Sequence, residues 1–90
     1  NRIKRYQRAG ADGIFLPCLV ASDDIKAIVA STSLPVNVMC LPELPCFEKL
    51  KNLGIRRISM GNFAHKAMLT ALSSILKTVK KEGSSKGLFT

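Results

Sequence analysis

Apolar and polar positions along the chain repeat one plan three times. An amphipathic stretch is followed by glycine or proline, and then by a short run rich in branched residues. The short runs are Gly13-Ile14-Phe15-Leu16, residues 34–39 (LPVNVM) and residues 55–60 (IRRISM). Each is short, apolar and bounded by turn-formers, which predicts strands. Ile14, Val36 and Ile58 fall 22 residues apart each time. The stretches around them predict helices over residues 1–9, 22–31, 44–53 and 63–82. Strands alternating with helices of this length predict βαβ units and a parallel sheet.

Each predicted helix has a reason to start or stop. The first carries Ile3, Tyr6 and Ala9 on one face and ends at Gly10, which takes a left-handed cap conformation readily. The second opens with Ser22 as its N-cap, and Asp23 and Asp24 complement the helix dipole. Ile25, Ile28 and Val29 form its apolar stripe. The third carries Leu44, Phe47, Leu50 and Leu53, with Pro42 and Pro45 at its entry and Gly54 at its end. The fourth has a continuous stripe from Ala64 through Ala67, Met68, Ala71, Leu72 and Ile75 to Val79. The tail EGSSKGLFT reads as a polar loop with a late Leu88-Phe89 pair.

Strand alternation then fixes the facing. Ile14, Leu16, Val36, Val38, Ile58 and Met60 form an aliphatic face that meets the helices. Phe15, Asn37 and Ser59 share the opposite, mixed face, with Pro17, Met39 and Gly61 as its next layer. In parallel α/β folds ligands bind at the carboxyl ends of the strands. Here those ends are Pro17-Cys18, Met39-Cys40 and Met60-Gly61-Asn62.

Composition narrows the classes. Ninety residues, 47% hydrophobic and 22% charged, describe at most one globular domain. No apolar run is long enough to span a membrane, and Arg2-Ile3-Lys4-Arg5 is followed by no apolar signal segment. Three cysteines without CxxC spacing fit a reducing, cytoplasmic setting better than a disulfide framework. The net charge of +8 admits an anionic partner. Yet the basic residues are scattered, with one tyrosine and no tryptophan as stacking platforms. Solvated helix faces account for them better than nucleic acid does.

The candidate chemistry is thin. Cys18 and Cys40 end neighbouring strands, but no base stands beside either; packed thiols are the plainer reading, and Cys46 reads as a helix residue. Asn37 is an amide inside an apolar strand and must find partners if buried. Ser59, Gly61 and Asn62 occupy a strand-to-helix turn of the kind that presents N–H groups to an anion. His65 lies in the first turn of the last helix, where a surface role is the default. The six acidic residues form no pair at the strand ends suited to Mg²⁺. No complete catalytic constellation is present, and no metal ligand is assigned.

The blocks RIKRYQRAGADGIFLP, LPVNVM and LGIRRISMG resemble the C-terminal part of the phosphoenolpyruvate mutase / isocitrate lyase superfamily. Its phosphonomutase-like branch matches best, and the resemblance covers residues 2–89. The resemblance implies an α/β fold: strands six to eight of a (β/α)8 TIM barrel, closed by a long final helix. It implies a parent enzyme, a lyase or mutase, that uses Mg²⁺ to bind 2-oxo acids or phosphonates and breaks or rearranges C–C or P–C bonds. The family's metal-binding acids and mobile loop lie on earlier strands and are absent from this chain.

Two departures bear on the reaction. The isocitrate-type lyases carry a glutamate after the strand-six proline, where this chain has Cys18. They carry asparagine-threonine after strand seven, where it has Met39-Cys40. That points away from isocitrate or methylisocitrate cleavage.

On this reading residues 1–90 are one incomplete barrel domain, inactive by itself. Its pocket wall is Pro17, Cys18, Asn37, Met39, Ser59 and Gly61. Residues 63–82 pack on another copy in a homo-oligomer, as in family members that exchange the last helix. Two other readings stay open. One is a non-catalytic truncated remnant or basic anion-binding module; the other is a different phosphate-binding barrel using the Gly61 turn.

Overall fold

The structure is a computed structural model that describes residues 2–89. Seven elements alternate along the chain and a short 3-10 helix follows. They are α1 (Arg2–Arg8), β1 (Ile14–Leu16), α2 (Ser22–Ala30), β2 (Val36–Met39), α3 (Phe47–Leu53), β3 (Arg57–Ser59), α4 (Phe63–Glu82) and the 3-10 helix (Ser85–Phe89).

The strands form one parallel sheet in the order β1-β2-β3. Each new strand is added on the same side of the last, with no reversal of order. The aliphatic face carries the core. Ile25 of α2, Leu50 of α3, Val36, Val38 and Ile55 are buried together, with Leu19, Ile28, Val29, Leu44, Leu53 and Ile58 packed around them. Burying such branched side chains between a helix layer and a sheet is the main stabilising term, roughly 1.5–3 kcal/mol for each fully buried residue.

Several expectations are corrected in detail. The strands are shorter than their apolar runs, because Gly13, Leu34-Pro35 and Ile55-Arg56 serve as lead-ins. The register keeps the 22-residue period only once. Ile14 pairs with Val36, but Val38, not Val36, pairs with Ile58. A slip of two residues leaves every side chain on its expected face, since the pleat also has a period of two.

Ser22 is the first helical residue, not the cap; Ala21 occupies that position and makes no side-chain cap bond. Helix α3 begins at Phe47, with Cys46 as an extended N-cap, so Leu44 and Pro45 belong to the loop and Phe47 is exposed. In α1 only Ile3 is buried, while Tyr6 and Ala9 face outward. Met60 lies beyond β3 and is exposed rather than part of the aliphatic face. The tail is not a loop; residues 85–89 wind into the 3-10 helix.

The glycine stops act as expected. Gly54 caps α3 in the left-handed region at φ +98°, and its N–H reaches the carbonyls of Leu50 and Lys51. A Cβ there would meet Val29 Cγ1 at 2.8 Å, so glycine is needed for conformation and for the close approach of α3 to α2.

Helix α4 spans the expected residues, yet none of its residues is buried. Its packing partner is the 3-10 helix, where Gly87 rests near Thr78 and Val79. Met68, Leu69, Leu72, Ile75 and Leu76 are all exposed. The result is an elongated molecule, 61 × 26 × 17 Å.

Candidate functional site

The face of the sheet opposite the core is uncovered, and it carries the polar residues. In the row through the middle of the strands, Phe15 of β1, Asn37 of β2 and Arg57 of β3 are register partners. In the next row Met39 partners Ser59. The polar contact crosses between these rows: Asn37 Nδ2 donates to Ser59 Oγ over 2.9 Å.

This bond determines what each group has left. The serine oxygen accepts from the amide, so its own proton is free to point elsewhere. Asn37 Oδ1 is sealed from solvent and has no partner. A buried carbonyl oxygen without a donor is unfavourable by about 1–3 kcal/mol. It marks a place where the chain alone does not satisfy its own chemistry.

Met39 and Gly61 lie side by side beyond this bond. Gly61 takes φ +57°, and a Cβ on it would stand 3.3 Å from both Cε and Sδ of Met39. The methionine side chain therefore crosses from β2 to the turn that leads into α4, and glycine leaves room for it. Backbone pairing continues to this level, since Cys40 N–H donates to the Ser59 carbonyl over 2.7 Å.

The structure thus brings together Asn37, Met39, Ser59 and Gly61. Pro17 and Cys18 lie in a turn at the end of β1, where Leu19 N–H reaches the Leu16 carbonyl over 3.3 Å. Both are exposed and neither hydrogen-bonds to the Asn37 group. Cys18, Cys40 and Cys46 are all free thiols, and only Cys40 is partly buried.

Arg57 escaped the sequence reading although the signal was available. It stands two residues before Ser59 and so shares its face. With Asp12, Phe15, Pro35 and Asn37 it lines a depression of about 270 Å³ toward the amino ends of the strands. His65 is exposed on α4, and among the described residues no acidic side chain stands at ion-pair distance from it.

Among the described residues no group of three His, Cys, Asp or Glu side chains comes together that could hold a metal ion. The described donors therefore do not fit a resident Mg²⁺. What the face offers is an amide oxygen, a hydroxyl proton and a guanidinium. Such groups are able to hold and orient a polar ligand; they do not form a nucleophile–base pair. All fourteen lysines and arginines are exposed, as solvated faces require.

A singly wound parallel sheet, with its helices on one face and polar groups on the other, defines a segment of a parallel α/β fold. Residues 1–80 match the phosphoenolpyruvate phosphomutase family model. The chain belongs to that family, within the phosphoenolpyruvate mutase / isocitrate lyase superfamily.

Relatives and solved structures agree. An uncharacterized Mycobacterium tuberculosis protein is 33% identical over 79 residues, covering 88% of this chain and 30% of its own length. The oxaloacetate decarboxylase of Bradyrhizobium sp. (strain BTAi1) is 30% identical over 79 residues, covering 88% of this chain and 27% of the enzyme. A Burkholderia cenocepacia protein provisionally described as a phosphonomutase superposes with a TM-score of 0.80 at 38% identity. That match covers 86% of this chain and 31% of the other. The chain therefore spans about a third or less of the length of the proteins it matches. Among the described residues no helix is long and apolar enough to cross a membrane.

Proposed function

We propose that this chain forms strands six to eight and the final helix of a (β/α)8 barrel in a Mg²⁺-dependent lyase or mutase. The substrate class is a 2-oxo acid, its enolate or a phosphonate, handled in the cytoplasm. One observation carries the reading: the polar groups of the sheet are gathered on the face that no helix covers. In a barrel that face looks into the lumen, and the ends of its strands line the pocket.

Pro17, Cys18, Asn37, Met39, Ser59 and Gly61 then form one wall. Ser59 donates its free proton to a substrate oxygen, Asn37 holds that hydroxyl in place, and Met39 limits the mouth. Developing negative charge on an enolate oxygen favours such a fixed donor. The metal and its acidic ligands come from earlier strands of the barrel. Helix α4, apolar and uncovered here, packs on another copy of the enzyme.

The test is a chimaera in which this chain replaces the aligned 79 residues of the Bradyrhizobium oxaloacetate decarboxylase. The chimaera is expected to fold and to turn over a 2-oxo acid in the presence of Mg²⁺. The 90-residue chain alone is expected to show no turnover. Activity of the chain alone, or a folded chimaera indifferent to Ser59→Ala and Asn37→Ala, refutes the reading. The net charge of +8 keeps a second reading open, a non-catalytic remnant that binds anions. Steeply salt-dependent binding of the chain to a polyanion is its signature.

A further inference from the structure

We propose that Cys18 and Cys40 are a redox modification site, at which a reversible disulfide clasps the carboxyl ends of β1 and β2. The inference rests on the pairing of two strands that both belong to this chain. It depends neither on what lies beyond the outer edges of the sheet nor on the enzyme reading.

The register brings the two cysteines together. Ile14, Phe15 and Leu16 of β1 partner Val36, Asn37 and Val38 of β2. Carried two residues further, the same register sets Cys18 opposite Cys40. Neighbouring strands lie about 4.7–4.9 Å apart. A disulfide joins α-carbons about 4.4–6.8 Å apart, so the spacing of the strands is a bridging distance. The alternation of side chains agrees. Cys18 follows Leu16 by two and Cys40 follows Val38 by two, and Leu16 and Val38 are partners.

Both strand ends are held in place. Strand β1 stops at Leu16, but the turn after it closes through Leu19 N–H on the Leu16 carbonyl over 3.3 Å. Cys18 therefore stays beside the strand end, and Leu19 next to it packs against the core. Cys40 is tied to β3, donating its N–H to the Ser59 carbonyl over 2.7 Å. Cys46 is set apart from this pair. It is the extended N-cap of α3, beyond the loop that holds Pro42 and Pro45.

Exposure divides the roles. Both residues are free thiols, Cys18 exposed and Cys40 partly buried. The oxidant is a small disulfide of the glutathione class. The Cys18 thiolate attacks one of its sulfurs, forming a mixed disulfide and releasing one small thiol. Cys40 then attacks the Cys18 sulfur and releases the second small thiol. The two protein thiols lose two electrons and two protons, and the small disulfide gains them and leaves as two thiols. Excess small thiol runs the exchange backwards, so the clasp opens again.

The test equilibrates the reduced 90-residue chain with mixtures of oxidised and reduced glutathione, caps the remaining thiols and maps linked peptides by mass. The chain is expected to lose two hydrogens, to link Cys18 to Cys40 and to leave Cys46 capped. The bond should form about a hundredfold more favourably in buffer than in concentrated urea, because folding already closes the loop between the two cysteines. In urea Cys46, nearer in sequence, should compete for Cys40. Cys40→Ser should stop at a mixed disulfide on Cys18. Predominant linkage to Cys46 in buffer, mixed disulfides that persist without an internal bond, or a Cys18–Cys40 bond no more favourable than in urea overturns the inference.

If circular dichroism shows the chain unfolded in buffer, the same titration and peptide map are made on the folded chimaera with the decarboxylase. Linkage of Cys18 to Cys40 there sustains the inference, and its absence overturns it.

Discussion

Asn37 separates a residue kept for the site from one kept for the fold. In this chain its Nδ2 bonds Ser59, but its Oδ1 is sealed without a partner. The bond is worth roughly 0.5–1.5 kcal/mol net, and the orphaned oxygen is unfavourable by about 1–3 kcal/mol. Valine is of similar size and suits a strand better, a difference of up to about 1 kcal/mol. Asn37→Val should therefore stabilise the 90-residue chain by about 1 kcal/mol. Ser59→Ala should do the opposite, because it leaves the amide with no partner at all. The double variant should return close to Asn37→Val.

The assay is urea unfolding followed by the methyl NMR signals of Ile25, Val38 and Leu50, which report the buried core and not α4. With a denaturant slope near 1 kcal/mol/M for a chain of this size, the midpoint rises by about 1 M. The same substitution should lower turnover of the active chimaera. A midpoint that falls by about 1 M or more refutes the reasoning, because Asn37 would then be a net stabiliser of the fold.

Four further outcomes follow from the packing. Leu50→Ala, at a fully buried position, should lose about 2–5 kcal/mol and abolish the cooperative core transition in the same NMR titration. Gly54→Ala should lose about 1–3 kcal/mol through its left-handed φ and the clash with Val29, and Val29→Ala should recover only the clash, measured as coupling between the two variants. With a thiol reagent, Cys18 and Cys46 should react quickly and Cys40 slowly, read by peptide mass after short labelling. Leu72→Lys should leave the core transition within about 0.5 kcal/mol while removing association through α4, checked by light scattering.

The sequence made the architecture legible wherever periodicity and a stop residue agreed. Helix α4 has both, and its bounds were read to the residue. Helix α3 has a clear stop at Gly54 but an ambiguous start, because Leu44 continues the apolar spacing while Pro45 interrupts it. The sheet settles the matter by drawing the chain from Cys40 to Phe47 through a loop. Ser22 was misread for a related reason: serine favours a cap, but here the extended residue is Ala21, and cap preference yielded to the path from Leu19 into the core. Among the candidate residues, the grouping of Asn37, Ser59 and Gly61 was legible because one period places them on one face. Arg57 was passed over since a charged residue in a strand reads as surface.

What the sequence determined by itself is the order of strands and helices, the aliphatic face that makes the core, and membership of the family. The first two follow from local rules, alternation in strands and spacing in helices, that do not depend on distant neighbours; the family follows from the likeness of whole sequence blocks. Tertiary structure alone decided the slip of two residues between β2 and β3, the bond from Asn37 to Ser59 and the sealed oxygen beside it. It also decided that α4 would stand clear of the sheet. Each of these depends on how residues far apart in sequence meet, and pairing geometry and packing volume, not local preference, set that meeting.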